Sequence, residues 1–166
     1  MAYSIRPLDA DALTGDFACG ETALDGYLQR YASQDIKRGV ARVFIAAPTV
    51  QPAVVAGFYT LSAASIAAET LPEPLRKKLP RYPLPVALMG RLAVCQQFHG
   101  KGLGSILLAD ACKRIAAASQ TLAVAAMVVD AKSPAAAAFY QHMGFVELPG
   151  HPGRWMLPRS HFPGPG

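Results

Sequence analysis

The feature that most limits this chain is an apolar strand that passes through a glycine-rich turn straight into a helix. Val86 to Val94 is an apolar run of strand length, and Gln97-Phe98-His99-Gly100-Lys101-Gly102-Leu103-Gly104 follows it. From there Leu103, Ile106, Leu107, Ala111 and Ile115 recur at three- and four-residue spacing. This predicts a helix to about Ala118 with those five residues toward the core. Glycine accepts positive φ without strain and lets other groups come close to the backbone. At a helix start, such a turn points several N–H groups into one hollow, which the helix dipole makes attractive to anions, a pyrophosphate above all. Two common phosphate loops do not fit. A P-loop needs a GK[ST] ending, whereas Leu103 follows Gly102. A dinucleotide fingerprint needs GxGxxG, whereas the glycines here stand at 100, 102 and 104. A strand-to-helix turn with no ligand is the plain alternative.

The rest of the chain reads as one mixed α/β sheet. Tyr3 to Leu8 is a short strand. Leu24, Tyr27, Leu28, Tyr31 and Ala32 share one face of a helix that stops before Gly39, after Lys37-Arg38. Val43-Phe44-Ile45 and Val54 to Ser62 form an antiparallel hairpin. Glu69 to Pro85 is irregular, because its prolines at 72, 74, 80, 83 and 85 forbid a long helix. After the glycine turn and its helix, Leu122 to Val129 is a strand. Pro134 to Met143 is a helix ended by Gly144, and Phe145 to Leu148 is a last strand. The order is β-α-β-β-loop-β-α-β-α-β. With 166 residues, the chain reads as a single domain over 1–158 with a loose tail over 159–166.

Composition removes several function classes. At 52% hydrophobic and 16% charged residues, the chain has ample surface to bury and is not disordered. Its apolar stretches are interrupted well before the roughly 18 residues of a membrane span, and no basic region precedes an apolar run at the N-terminus. Cys19, Cys95 and Cys112 are odd in number and widely spaced, which argues against a disulfide framework or zinc knuckle and for a reducing, cytoplasmic setting. A net charge of +5 points toward an anionic partner.

Gln97-x-x-Gly100-x-Gly102 after a strand resembles the coenzyme A pyrophosphate loop of the GNAT superfamily of N-acetyltransferases. Ser133-Pro134-Ala135-Ala136-Ala137-Ala138-Phe139-Tyr140-Gln141-His142-Met143-Gly144-Phe145 is similar to the superfamily's Asn-x-x-Ala-x-x-Phe-Tyr-x-x-x-Gly-Phe helix, with Ser133 where many members carry Asn. The segments Phe17-Ala-Cys-Gly-Glu-x-x-Leu-Asp-x-Tyr-Leu-x-Arg and Tyr82-Pro-Leu-Pro-Val-Ala-Leu-Met-Gly-Arg-Leu-Ala-Val resemble one branch. Its members are toxins of type II toxin–antitoxin modules that acetylate the amino group of aminoacyl-tRNA. The resemblance runs from about Phe17 to Phe145. It implies the GNAT fold, acetyl-CoA as donor, charged tRNA as acceptor, a translation block, a ribbon-helix-helix antitoxin partner and a homodimer. A GNAT enzyme for a small or protein amine, and a non-catalytic binding module of an antitoxin–DNA complex, are the alternatives.

The resemblance assigns roles residue by residue. The backbone of Leu92, Ala93 and Val94 would pair with pantetheine, with an N–H near Leu92 at the thioester oxygen. Gln97, His99, Gly100, Lys101, Gly102, Leu103 and Gly104 would hold the pyrophosphate, His99 serving either as a phosphate ligand or as a cap. Ser133 and Phe139 would border the cofactor, Phe139 packing into the core while Tyr140 turns toward it. Tyr140 is the expected general acid, since a phenol with pKa about 10 is protonated at neutral pH. No general base stands out among Glu21, Asp25, Asp35 and Glu69, and an α-amine with pKa about 7.7–8.0 has little need of one. Cys95 reads as a buried inert thiol. Lys37, Arg38, Arg42, Arg76, Lys77, Lys78, Arg81 and Arg91 are the candidate RNA contacts, Arg91 being notable because it interrupts an apolar strand.

Overall fold

The computed structural model describes residues 2–163. Seven strands pair in the order β1-β2-β3-β4-β5-β7-β6. They are β1 (Tyr3–Pro7), β2 (Arg42–Pro48), β3 (Gly57–Ile66), β4 (Leu84–Val94), β5 (Ala126–Asp130), β6 (Val146–Glu147) and β7 (Arg154–Pro158). Helices are α1 (Thr22–Gly26), α2 (Ala32–Lys37), α3 (Glu73–Arg76), α4 (Leu103–Ala118) and α5 (Pro134–His142). Among the described residues, no helix is long and apolar enough to cross a membrane. The chain packs as two compact units, one of residues up to Ser62 with Gly90–Ala111, the other of Ala63–Met89 with residues from Cys112 onward.

In the first unit β1, β2 and β3 form an antiparallel meander, with Val43 opposite Thr60 and Ile45 opposite Phe58. Phe17 meets Phe58 edge-on at 5.3 Å, and Phe44 stacks on its cross-strand partner Tyr59 at 5.2 Å. The buried Tyr59 phenol donates to Asp110 Oδ2 at 2.5 Å, tying β3 to α4. Gly57 is there for room. A Cβ on it would stand 2.9 Å from both the Ala93 carbonyl oxygen and Leu107 Cδ1, so β3, β4 and α4 meet over a bare Cα.

Two departures from the helical periodicity occur in this unit. The expected face Leu24, Tyr27, Leu28, Tyr31, Ala32 holds except for Tyr31, which is 55% exposed. Residues Tyr27–Tyr31 form a π-turn between α1 and α2. One extra residue in the turn aligns Ala32, rather than Tyr31, with Tyr27, so Ala32 is buried and Tyr31 swings out. In α4, Ile106 is 42% exposed; the buried row is Leu103, Leu107, Leu108, Ala111, Cys112 and Ile115.

The second unit has its own core of Ile66, Leu71, Leu84, Val86, Ala126, Val128, Leu148 and Met156. Val86–Met89 of β4 runs parallel to Ala126–Val129 of β5, while β7 lies antiparallel between β5 and β6. Beyond the expected last strand, Phe145 to Leu148, lies β7. That strand is Arg154-Trp155-Met156-Leu157-Pro158, entered through a turn at Gly153 with φ of 84°. It reduces the expected last strand to the two-residue edge β6. Leu122 is 71% exposed, so β5 starts at Ala126 rather than at 122. The tail expected to be loose opens with a 3-10 turn, Arg159–His161, held by a bond from Arg159 N–H to Ala125 O at 3.0 Å. The rest of that expectation, residues 164–166, lies outside the described residues.

Gly57→Ala is expected to lower stability by about 1–3 kcal/mol, because the added methyl overpacks against backbone. Urea unfolding followed by circular dichroism measures it; an unchanged midpoint would show that β4 and α4 yield without cost.

Candidate active site

The pairing of β4 with β5 stops at Met89, and the rest of β4, from Gly90, belongs to the first unit. Beyond it, the Ala93 carbonyl lies against β3 at Gly57, and Cys95 N–H donates to Ala56 O at 2.8 Å. Backbone groups alternate sides along a strand, so those of Leu92 and Val94 face the other edge. The Val94 carbonyl oxygen is 2.6 Å from His99 Nε2, which must carry the proton in that contact. Through this nitrogen His99 caps the strand end. The Leu92 N–H is left as the donor on this edge.

The turn itself follows from its residues. Gln96–Phe98 is a 3-10 turn, with Gln96 N–H bound to Ala18 O at 2.8 Å and Phe98 buried. Gly100 and Gly102 have φ of 76° and 77°, and a Cβ on either would meet nothing within 4 Å. Positive φ, not crowding, is what requires glycine there. The first intrahelical bond runs from Ile106 N–H to Gly102 O at 3.2 Å, so the first-turn amides of Leu103, Gly104 and Ser105 have no helical acceptor. Leu103 is itself buried, so its amide rather than its side chain is on offer. Lys101 arches over Phe98, its Nζ 5.7 Å from the ring centroid. Open space above two left-handed glycines and a row of unspent amides fits a pyrophosphate. Gln97 is exposed at the mouth of this turn.

Arg91 is half-buried, its guanidinium carbon 3.5 Å from the centroid of the Tyr27 ring. Tyr27 is buried in turn and donates to Asp35 Oδ2 at 2.8 Å. Burial, then that hydrogen bond, push its phenol up to about 12, against the pull of Arg91. Asp25 accepts from Cys19 N–H at 2.9 Å. Two of the four acids weighed as bases are thus spent on structure. Cys95 is buried, and burial pushes Cys112 and Cys19 up to about 11, which keeps both as thiols at neutral pH.

In the second unit α5 begins with Ser133 Oγ accepting from Ala136 N–H at 3.1 Å, and Pro134 takes the first turn. The Ser133 hydroxyl oxygen, expected beside the cofactor, is occupied as the helix cap. Burial differs from the expectation that Phe139 is the core member of the pair. Tyr140 is only 6% exposed, between Phe139 and Phe145 at 5.3 Å each, while Phe139 is half-buried. Gly144, at φ of 96°, turns the chain back so that Phe145 N–H reaches Tyr140 O at 3.0 Å and Phe145 packs on the ring. Burial first, and the Asp130 carboxylate second, push the Tyr140 phenol up to about 12. Among the described residues no acceptor holds its hydroxyl. Asp130 was not singled out from sequence. It is gripped by Arg154 through Nε to Oδ1 at 2.8 Å and Nη2 to Oδ2 at 3.0 Å, which holds its carboxyl below the usual carboxylate range.

The basic residues fall in both units. Lys37 and Arg38 are exposed at the end of α2, and Arg42 Nη1 reaches back to Ile36 O at 3.4 Å. Arg76, Lys77 and Arg81 line an open cavity of about 460 Å³ together with Ala68, Glu69 and Glu73. Lys77 pairs with Glu73 at 3.4 Å, an exposed contact of little energetic weight, and Lys78 is exposed beside them.

Comparison with known proteins agrees with this chemistry. Residues 41–147 match the acetyltransferase (GNAT) domain family. A tRNA-acetylating toxin of Mycobacterium tuberculosis (strain ATCC 25618 / H37Rv) is 39% identical over 152 residues, covering 92% of this chain and 89% of the relative. The structure of AtaT complexed with acetyl-methionyl-tRNAfMet superposes with a TM-score of 0.89 at 27% identity, over 96% of both chains. A tyrosine-to-phenylalanine mutant of AtaT, bound to the C-terminus of the antitoxin AtaR and acetyl-CoA, does so at 0.80 and 25% identity, over 96% of this chain and 95% of that one. A strand with an unspent amide, a left-handed glycine turn opening α4, a buried phenol on α5 and this match over most of the length place the chain in the GNAT acetyltransferase family.

Proposed function

We propose that this protein transfers the acetyl group of acetyl-CoA to the α-amino group of aminoacyl-tRNA, and so acts as a toxin that blocks translation. The observation that carries the substrate is the 39% identity, over 92% of the chain, to a relative named as a tRNA-acetylating toxin. The donor supplies an acetyl group activated as a thioester. The amides of Leu103 and Gly104, with the turn from Gln97 to Gly102, bind the pyrophosphate. Leu92 N–H hydrogen-bonds the acetyl carbonyl oxygen. Tyr140 holds its proton at neutral pH, with no protein acceptor competing for it, and gives it to the departing sulfur. Asp25 and Asp35, two of the four acids weighed as bases, are committed elsewhere, which suits an α-amine that is substantially neutral near pH 7.

The basic residues at 76, 77, 78 and 81, with Lys37, Arg38 and Arg42, provide phosphate contacts for the RNA. A ribbon-helix-helix antitoxin is the partner that restrains the activity, the protein works as a homodimer, and it acts in the cytoplasm where charged tRNA is made. Solved relatives with antitoxin AtaR and with acetyl-methionyl-tRNAfMet support this reading.

Incubation with labelled acetyl-CoA and bulk charged tRNA tests the proposal: label on aminoacyl ends supports it, and label only on free amines or on protein defeats it. Tyr140→Phe is expected to keep acetyl-CoA affinity by calorimetry and lose about 10²–10⁴-fold in kcat; near-normal kcat removes the general-acid role. Replacing Arg76, Lys77 and Lys78 by glutamine is expected to weaken tRNA turnover and flatten its salt dependence while acetyl-CoA binding holds.

Tyr140 also predicts an alkaline limit on stability. Its folded phenol titrates near 12 and an unfolded one near 10, so the folded state holds the proton more tightly. That contribution is whole below pH 10 and vanishes as the pH climbs through 12. Tyr140→Phe lacks this loss. Between pH 9 and 11 its urea stability is expected to fall by about 1–2 kcal/mol less than wild type. Parallel curves for the two proteins would mean that the phenol is not perturbed.

A further inference from the structure

Arg91 is built unlike a surface arginine. It sits in β4 next to Leu92, and its guanidinium is in van der Waals contact with the Tyr27 ring at 3.5 Å. That ring does not swing. It is 5% exposed, stacked on Phe58 at 6.4 Å and latched through its hydroxyl to Asp35. The π-turn that begins at Tyr27 places the ring there, and such turns concentrate at functional sites. A guanidinium lying along a ring keeps its five N–H groups in its own plane, pointing away from the stack. Among the described residues none of those N–H groups has a hydrogen-bond acceptor, and no carboxylate pairs with Arg91. The Asp35 carboxylate is engaged with the Tyr27 hydroxyl. A half-buried cation with no counter-ion is costly to hold. Its planar donor fork has the shape that grips a phosphate with two parallel hydrogen bonds.

We propose that Arg91, held flat by Tyr27 and Asp35, is the receptor for the 5′-phosphate of the terminal nucleotide that carries the amino acid, and so determines that the acceptor is a charged RNA end rather than a free amine. This rests on the aminoacyl-tRNA reading above. Arg91 directly precedes Leu92 in β4, so its side chain and the Leu92 amide belong to neighbouring residues of one strand. In a charged tRNA the anion nearest the α-amino group is the phosphate of that same terminal adenosine. A free amino acid, a small amine or a lysine side chain lacks it. Arg91 is thereby a specificity residue, and Tyr27 and Asp35 are its positioning residues.

The test uses two digests of bulk charged tRNA. Ribonuclease A releases aminoacyl-adenosine without a phosphate, and nuclease P1 releases aminoacyl-adenosine 5′-phosphate. Wild type is expected to show a KM about tenfold or more lower for the phosphorylated fragment. In Arg91→Gln that ratio falls to near one, Arg91→Lys is intermediate because the fork is lost, and Tyr27→Leu follows Arg91→Gln. A ratio that survives in Arg91→Gln overturns the proposal, as does a matching loss of coenzyme A affinity, which would give the anion to the cofactor. Calorimetry with AMP and with adenosine gives a readout that needs no turnover: wild type prefers AMP and Arg91→Gln does not. If neither digest nor intact charged tRNA is acetylated while this preference stands, the aminoacyl-tRNA reading falls and the phosphate site remains. If the preference is absent, the Arg91 proposal falls whatever is acetylated.

Discussion

The arrangement depends on where β4 stops being paired on both sides. Up to Met89 it has β5 alongside; beyond Met89 that pairing does not continue, and past the end of β4 Cys95 N–H bonds to Ala56 O beside the start of β3. An unpaired strand edge costs free energy when it is sheltered from water, because each idle N–H and C=O keeps its desolvation penalty. The chain offsets part of this locally, as His99 caps the Val94 carbonyl. On the β3 side, the missing side chain of Gly57 lets β3 approach the Ala93 carbonyl and the α4 leucines. The donor proposed to polarise a thioester is thus a by-product of sheet geometry and involves no special side chain.

The polar residues divide sharply between structure and chemistry. Ser133 caps α5, Asp25 accepts the Cys19 amide, Asp35 latches Tyr27, and Asp110 anchors Tyr59. Each is an acid or hydroxyl that sequence alone leaves free for catalysis, and each is occupied once the chain folds. Among the described residues, Tyr140 is a buried phenol with no protein acceptor and Arg91 a half-buried cation with no protein counter-ion. Groups left unsatisfied in such surroundings are where a ligand recovers the most free energy.

Much of the fold is legible in the residues because its signals are local. The turn at Gly100 and Gly102 needs positive φ wherever it sits, and Ser133-Pro134 starts a helix on its own account. The signals that fail are those that depend on neighbours. Tyr31 has the right spacing for a buried face, but the π-turn adds one residue and Ala32 takes its place. Phe139 and Tyr140 are adjacent aromatics, and which one is buried is settled by Phe145 returning through Gly144. The strand at Trp155 was missed because it is short and follows a turn-rich segment, and its pairing with β5 is long-range.

The residue pattern by itself determined the strand–glycine turn–helix unit, the chain order of β1 to β5 and the identity of the phenol on α5, since backbone conformation at glycine, proline and cap positions is set within a few residues. Only the tertiary structure decided that His99 caps the Val94 carbonyl, that the Ser133 hydroxyl oxygen caps α5, that Arg91 lies on Tyr27 rather than in solvent, and that Tyr140 is the more buried member of its pair. Those outcomes are competitions among polar groups for a few partners, and the competitors meet only when the sheet and its helices have closed around them.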